Sequence, residues 1–328
     1  MRPTYLRRRA AVMGVLLVVV VTAVLLSRSG PAAHPGAHAA APSPVPDTHP
    51  SSTSGTATST TTTLPGLRGL TVTQSVLPLV DASRPVTSDG VVLSAVRHLT
   101  TQVWAPVGPG PFPLVVFAAG YDKGPLDYAR FCATLASSGY VVAAPSFPLE
   151  DPAQGYALNR GELPAEAGDV AFVASRLELD AATFHLLAGR VGVVGHSDGA
   201  DVALLIGYAS GTQDSQVTSV VADAPDPMSG PTATSSVPLL LVQGTSDSVV
   251  PYAASQTVFT QVDAPVIYLS LIGADHFPPI AGGTAWTPVL DEAVAGFLDA
   301  TLADRGPGLT ALTAQLSTSP LARVLTKA

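Results

Sequence analysis

Five residues, Gly195-His196-Ser197-Asp198-Gly199, have the spacing G-x-S-x-G. A serine on a sharp strand-to-helix turn, with glycines where neighbouring backbone must come close, can attack a carbonyl and hold the acyl group as an ester. Such a serine needs a base, and on this kind of turn the acid and then the histidine follow it along the chain. Seven histidines are present. His34, His38 and His49 lie in a proline- and threonine-rich stretch, His98 and His185 precede the serine, and His196 points away from it. Only His276, in LSLIGADHFPP, follows Ser197. It would take the Ser197 proton and return it to the leaving group.

The acid would hold the imidazole tautomer, and two candidates stand just after strands: Asp247 in VQGTSDSVVPY and Asp223 in VVADAPDP. Asp198 and Asp201 belong to the helix after the serine, and Asp275 adjoins the base. Asp263 precedes a strand, and Asp214 sits in a helix-to-strand loop. The backbone N–H groups of Asp198 and of Tyr121, in FAAGYDKGP, are the expected donors to a developing oxyanion. An aspartate directly after the nucleophile must then turn its carboxylate away or find it a partner.

These residues need a scaffold that gathers loops at one edge. From residue 98 on, short apolar, β-branched runs alternate with helical patterns. Strands are expected at 98–107, 112–120, 140–145, 190–195, 217–225, 237–244 and 265–273. Helices are expected at 126–139, 168–179, 200–209, 252–261 and 285–303. This pattern predicts an α/β fold, a mostly parallel central sheet with helices on both faces and loops at the carboxyl ends of the strands. About a dozen residues separate Asp223 from Val237, too few for a cap domain. The serine should therefore open onto a shallow groove lined by Tyr121, Phe147, Met228 and Phe277.

The 328 residues are 47% hydrophobic and 12% charged, with a net charge of −8. Arg2, Arg7, Arg8, Arg9 and Arg28 lie in an N-terminal stretch without acids, leaving 11 basic against 24 acidic residues. That surface repels phosphate backbones and argues against nucleic acid as a partner. The single cysteine, Cys132, allows no intramolecular disulfide and no C-x-x-C site, and it reads as a core residue. No metal or organic cofactor is implied.

Residues 1–27 combine a basic start with seventeen uncharged residues, Ala10 to Leu26. These span roughly 26 Å as a helix, slightly less than a bilayer core of ~30 Å. The segment reads as a signal-anchor or a signal peptide. The distance to the nearest A-x-A site, at Ala37 to Ala39, favours the anchor. Either reading puts the remainder outside the cytoplasm, secreted or held to the membrane by a single pass with the N-terminus inside. Residues 28–65 form a Pro/Ser/Thr-rich linker, with eleven Ser or Thr among the thirteen residues of SSTSGTATSTTTT, expected to stay disordered. The catalytic domain is expected over 66–303, and 304–328 reads as a surface helix or a tail.

Together, VDASRP (80–85), TTQVWAP (100–106), FPLVVFAAGY (112–121), GYVVAAPSFP (139–148), GHSDGA (195–200), GTSDSVVP (244–251) and DHF (275–277) resemble the α/β-hydrolase superfamily over residues 68–303. Within it the chain is similar to the branch of dienelactone hydrolases, platelet-activating-factor acetylhydrolase-like esterases, chlorophyllases and cutinase-like polyester hydrolases. The resemblance implies a Ser-Asp-His triad of Ser197, Asp247 and His276. Acetylhydrolase and chlorophyllase relatives place the acid as Asp223 sits. Relatives carry His-Gly in the oxyanion loop, where this chain has Ala119-Gly120. The implied activity is hydrolysis of carboxylic esters, an open groove suiting bulky or polymeric ones. A peptidase or thioesterase of the same fold, or an inactive cell-surface binding domain, would share these features.

Overall fold

A computed structural model of the chain describes residues 60–62 and 69–328. The N-terminal segment 1–27 and most of the linker lie outside the described residues. Ten strands form one sheet in the order β1-β2-β5-β7-β6-β8-β9-β10-β11-β12. Their ranges are β1 Thr60–Thr62, β2 Val72–Asp81, β5 Arg97–Pro106, β6 Phe112–Ala118, β7 Val141–Pro145, β8 Leu186–His196, β9 Val217–Asp223, β10 Leu239–Gly244, β11 Val266–Leu271 and β12 Ala322–Lys327. The six strands from β7 to β11 in this order are mutually parallel, and those at the two ends are antiparallel. A separate hairpin pairs β3, Val86–Ser88, with β4, Val91–Ser94.

The central strands are buried on both faces because helices cover both, and alternate side chains sort to opposite sides. On one side Leu114, Val116, Val193, Leu239 and Leu241 meet Val170, Val173 and Leu177 of α2, Leu163–Leu179. On the other, Val115, Phe117, Val194, Leu240 and Val242 meet Phe131, Cys132 and Leu135 of α1, Ala129–Ser137. Burial pushes the Cys132 thiol far above its ordinary range. After α2 come a single turn, α3 (Ala181–Phe184), then α4 (Asp198–Tyr208), α5 (Tyr252–Gln261), α6 (Pro278–Ala281), α7 (Thr287–Thr301) and α8 (Leu309–Leu316). No helix or strand is inserted between β9 and β10.

Several elements differ from the sequence expectation. Residues 304–328 are neither a lone helix nor a tail. They supply α8 and then β12, which pairs along the whole of β11. Only Ala322 and Val324 of β12 turn toward the core, so its apolar pattern is short. Residues Thr60–Thr62, expected in a disordered linker, pair antiparallel with Val72 to Gln74. β2 itself escaped the reading because Pro78 interrupts its alternation. Among the described residues Pro78 has β5 on one side and no strand on the other, a position that tolerates a missing N–H. α2 begins five residues earlier than expected because Pro164 sits in its first turn, where no intrahelical N–H is lost.

Candidate active site

β8 ends at His196 and α4 begins at Asp198, so Ser197 makes the whole turn. Its backbone has φ 58° and ψ −125°, a strained conformation for a residue with a side chain. The flanking glycines are required by contact: a Cβ on Gly195 would lie 1.9 Å from the Gly199 carbonyl oxygen, and one on Gly199 2.1 Å from that of Ala118. The Ser197 N–H donates to the Asp223 carbonyl at 2.9 Å, locking the turn onto the end of β9.

His276 lies in the loop after β11. Its Nδ1 is 2.8 Å from Asp247 Oδ2. Asp247 has a fully buried side chain and accepts three further hydrogen bonds, from Gln243 Nε2 at 2.7 Å and from the N–H groups of Val249 and Val250 at 2.8 Å each. An anion so held takes the Nδ1–H and leaves the Nε2 lone pair as the base. Asp275 fixes the loop instead: its Oδ1 accepts from Ser248 N–H and Oγ and from His276 N–H. The Asp223 carboxyl makes no hydrogen bond to His276 Nδ1, whose partner is Asp247. Burial raises it to about 7 and the neighbouring Asp247 charge adds to this, while the His276 charge opposes it. Asp223 serves the turn through its backbone. Among the described residues Ser197 Oγ makes no hydrogen bond, an arrangement common in an unliganded site.

His196 does more than occupy the motif. Its Nε2 is 3.0 Å from the His276 carbonyl, and its Nδ1 is 3.1 Å from Tyr128 Oη, which accepts the Gly120 N–H at 3.1 Å. Burial lowers the His196 pKa to about 3, so the ring is neutral. Nε2–H must then donate to the His276 carbonyl, and Tyr128 O–H to Nδ1. One chain of hydrogen bonds thus ties the loop after β6 to the loop that carries His276. Phe277 closes it edge-on, its centroid 5.5 Å from Tyr128 and 5.7 Å from His196. The His196 and His276 rings are 4.6 Å apart. The sequence signal was the aromatic set Tyr128, His196, Phe277, whose convergence only the fold reveals.

The loop after β6 runs against the serine: a Cβ on Gly120 would sit 2.9 Å from Ser197 Cβ. With Gly120 N–H committed to Tyr128, the N–H groups of Tyr121 and Asp198 remain without acceptors among the described residues. Both expected oxyanion donors are thus unspent. Of the expected groove residues, Tyr121 is exposed and Phe277 half-buried. Phe147 is 1% exposed and belongs to the core beside α2, and Met228 packs against that same core. A hollow of about 610 Å³ opens elsewhere, between Arg84, Thr87, Glu162 and Gln213, and none of these candidates lines it.

On the far side of Ser197 lie acids. The Asp198 carboxylate is gripped by Arg160 through both oxygens, Nη2 to Oδ1 at 2.6 Å and Nε to Oδ2. Arg160 Nη2 also reaches Asp201 at 3.3 Å and Asp226 at 3.2 Å. Glu150 and Glu166 are fully buried, and none of their four carboxyl oxygens has a partner. Burial, reinforced by the Asp198 charge, raises Glu150 to about 9, and burial with the neighbouring Glu150 raises Glu166 well above its ordinary value. Among the described residues no group of three His, Cys, Asp or Glu could hold a metal ion, and no helix is long and apolar enough to cross a membrane.

No curated protein matches the chain. A family model described as chlorophyllase matches residues 86–255, just over half of the sequence, a span that contains Tyr121, Ser197, Asp223 and Asp247 and stops short of His276. That family suggests hydrolysis of esters on the fold described above. By this match, by the sheet that carries the turn at Ser197 and by the loops gathered around it, the chain belongs to the chlorophyllase family of the α/β-hydrolase superfamily.

Proposed function

We propose that the chain is a serine hydrolase that cleaves carboxylic esters through an acyl-enzyme on Ser197. The observation that carries this reading is the 2.8 Å contact between His276 Nδ1 and a buried, saturated Asp247 carboxylate. In the first half-reaction Ser197 Oγ attacks the acyl carbon while His276 Nε2 takes its proton. The N–H groups of Tyr121 and Asp198 donate to the oxyanion of the tetrahedral intermediate. The imidazolium, steadied by Asp247, then protonates the departing alcohol. A water molecule repeats the sequence on the acyl-enzyme and frees the acid.

The lack of an inserted segment between β9 and β10 supports bulky or polymeric esters as substrates. The basic, apolar start of the chain supports a site of action outside the cytoplasm, anchored or secreted. Purified protein should react with a fluorophosphonate probe at one site, lost in Ser197→Ala. A graded series of acyl esters should then give the preferred size. Labelling that survives Ser197→Ala, or no turnover of any ester, would refute the assignment.

A further inference from the structure

Asp198 poses an electrostatic difficulty. Its N–H is an oxyanion donor in the mechanism above, and its carboxylate hangs from the same residue. That carboxylate is 3% exposed, so water cannot screen it from negative charge developing next to it. Arg160 resolves the difficulty. Its guanidinium meets both Asp198 oxygens in the planar fork that suits a carboxylate. It stands 38 residues upstream, in the loop between β7 and α2.

That loop holds Arg160 in place from the preceding residue. Asn159 N–H donates to the Leu149 carbonyl at 2.9 Å, its Nδ2 to Ser88 Oγ at 2.7 Å, and its Oδ1 accepts Gly161 N–H at 2.9 Å. Among the described residues Arg160 is the cation that binds the Asp198 carboxylate. The other groups facing the guanidinium, Asp201 and Asp226, are acids, and Glu150 beneath them is held protonated.

We infer that Arg160 is a positioning residue for ester hydrolysis: by neutralising and turning aside the Asp198 carboxylate, it lets the Asp198 N–H serve the oxyanion. This rests on the serine-hydrolase reading. A residue acting in this way affects the charge that appears in the transition state more than the binding of a neutral ester, so its loss falls on kcat.

The test uses the full chain and p-nitrophenyl esters, with wild type, Arg160→Ala, Arg160→Lys and the double variant Arg160→Ala/Asp198→Asn. Arg160→Ala should lower kcat by about 10²-fold, on the scale of a lost oxyanion donor, with KM changed less than about threefold. Arg160→Lys, which keeps the charge and loses the fork, should fall between. The double variant should recover at least about tenfold over Arg160→Ala, because the charge that needed neutralising is gone. Millimolar guanidinium should restore part of the activity of Arg160→Ala and none to the double variant. A purely architectural Arg160 predicts the reverse, with the double variant as poor as Arg160→Ala or worse and no rescue. That result, or wild-type kcat in Arg160→Ala, would overturn the inference. A wild type inert toward both ester and fluorophosphonate would instead remove the reading beneath it.

Discussion

The two flanks of Ser197 are built on opposite principles. On the His276 flank the functional groups are densely bonded, although the buried Gln243 Oε1 accepts nothing: Asp247 accepts four hydrogen bonds, and His196 uses both ring nitrogens. On the Arg160 flank acids outnumber bases, and two buried carboxyls have no partner at all. The first flank is a rigid device that fixes a tautomer. The second is a charge reservoir kept tolerable by Arg160, by Arg97 and Arg84 deeper in, and by protonation. The lesson is that placing a proton acceptor takes several converging hydrogen bonds on its partner acid, whereas electrostatic support of a backbone donor needs only a local balance of charge.

The comparison can be broken most severely on the first flank. Asp247→Asn should reduce kcat by about 10⁴-fold on any ester the protein turns over, since the amide no longer fixes the base tautomer. Asp223→Asn should cost less than about tenfold. Steady-state kinetics of the pair decides between them, and equal losses would mean that the acid has been misassigned.

Next in size is Arg97, deep on the acidic side. It is 1% exposed and binds Asp169 through two contacts, at 2.7 and 2.8 Å, and Glu162 at 2.6 Å. Arg97→Met leaves buried carboxylates with one cation fewer. It should lower unfolding free energy by roughly 3–5 kcal/mol in urea titrations. A loss below about 1 kcal/mol would mean that Arg84, which also binds Asp169, carries the network alone.

Smaller still is Tyr128→Phe, which leaves Gly120 N–H and His196 Nδ1 without partners. It should cost about 1–3 kcal/mol of stability and show a clear fall in kcat, read from thermal melts and ester assays. Unchanged kcat would detach this chain of hydrogen bonds from the chemistry.

The smallest effect separates the flanks by pH. His196 has a folded pKa of about 3, below its unfolded value, so the folded state binds fewer protons and stability falls as pH drops from about 6.5 toward 3. Glu150 has a folded pKa of about 9, above its unfolded value near 4.5. Its folded state retains a proton the unfolded chain has lost, so stability falls as pH rises between those values. Glu150→Gln should therefore stabilise the protein at pH 8 by on the order of 1 kcal/mol and leave it unchanged below pH 4.5. Urea midpoints across pH 4–9 would show whether the upper arm flattens. An arm that stays as steep would assign it to other groups.

Much of this arrangement was legible because it is local. The turn at Ser197 lies between a buried run and a helical pattern, His276 is the one histidine after it, and Asp247 stands directly after a strand. What was not legible depends on distant segments. Arg160 has no sequence pattern pointing to Asp198, and His196 looked idle until Tyr128 and the His276 carbonyl came to its two nitrogens. Phe147 read as a groove residue because it follows a strand, yet its ring turns inward to the core. Among the elements, β12 was hidden by having only two inward side chains, and the start of α2 by a proline that its first turn accommodates.

The sealed environment of Cys132 has a practical consequence. The only sulfhydryl in the sequence is completely buried and strongly disfavoured as a thiolate. Thiol-directed alkylating agents will find no accessible sulfhydryl in the folded molecule, so electrophilic reporters aimed at Ser197 can be read without a competing thiol signal. Conversely, the appearance of a titratable sulfhydryl gives a direct, label-based measure of how much of the population has opened.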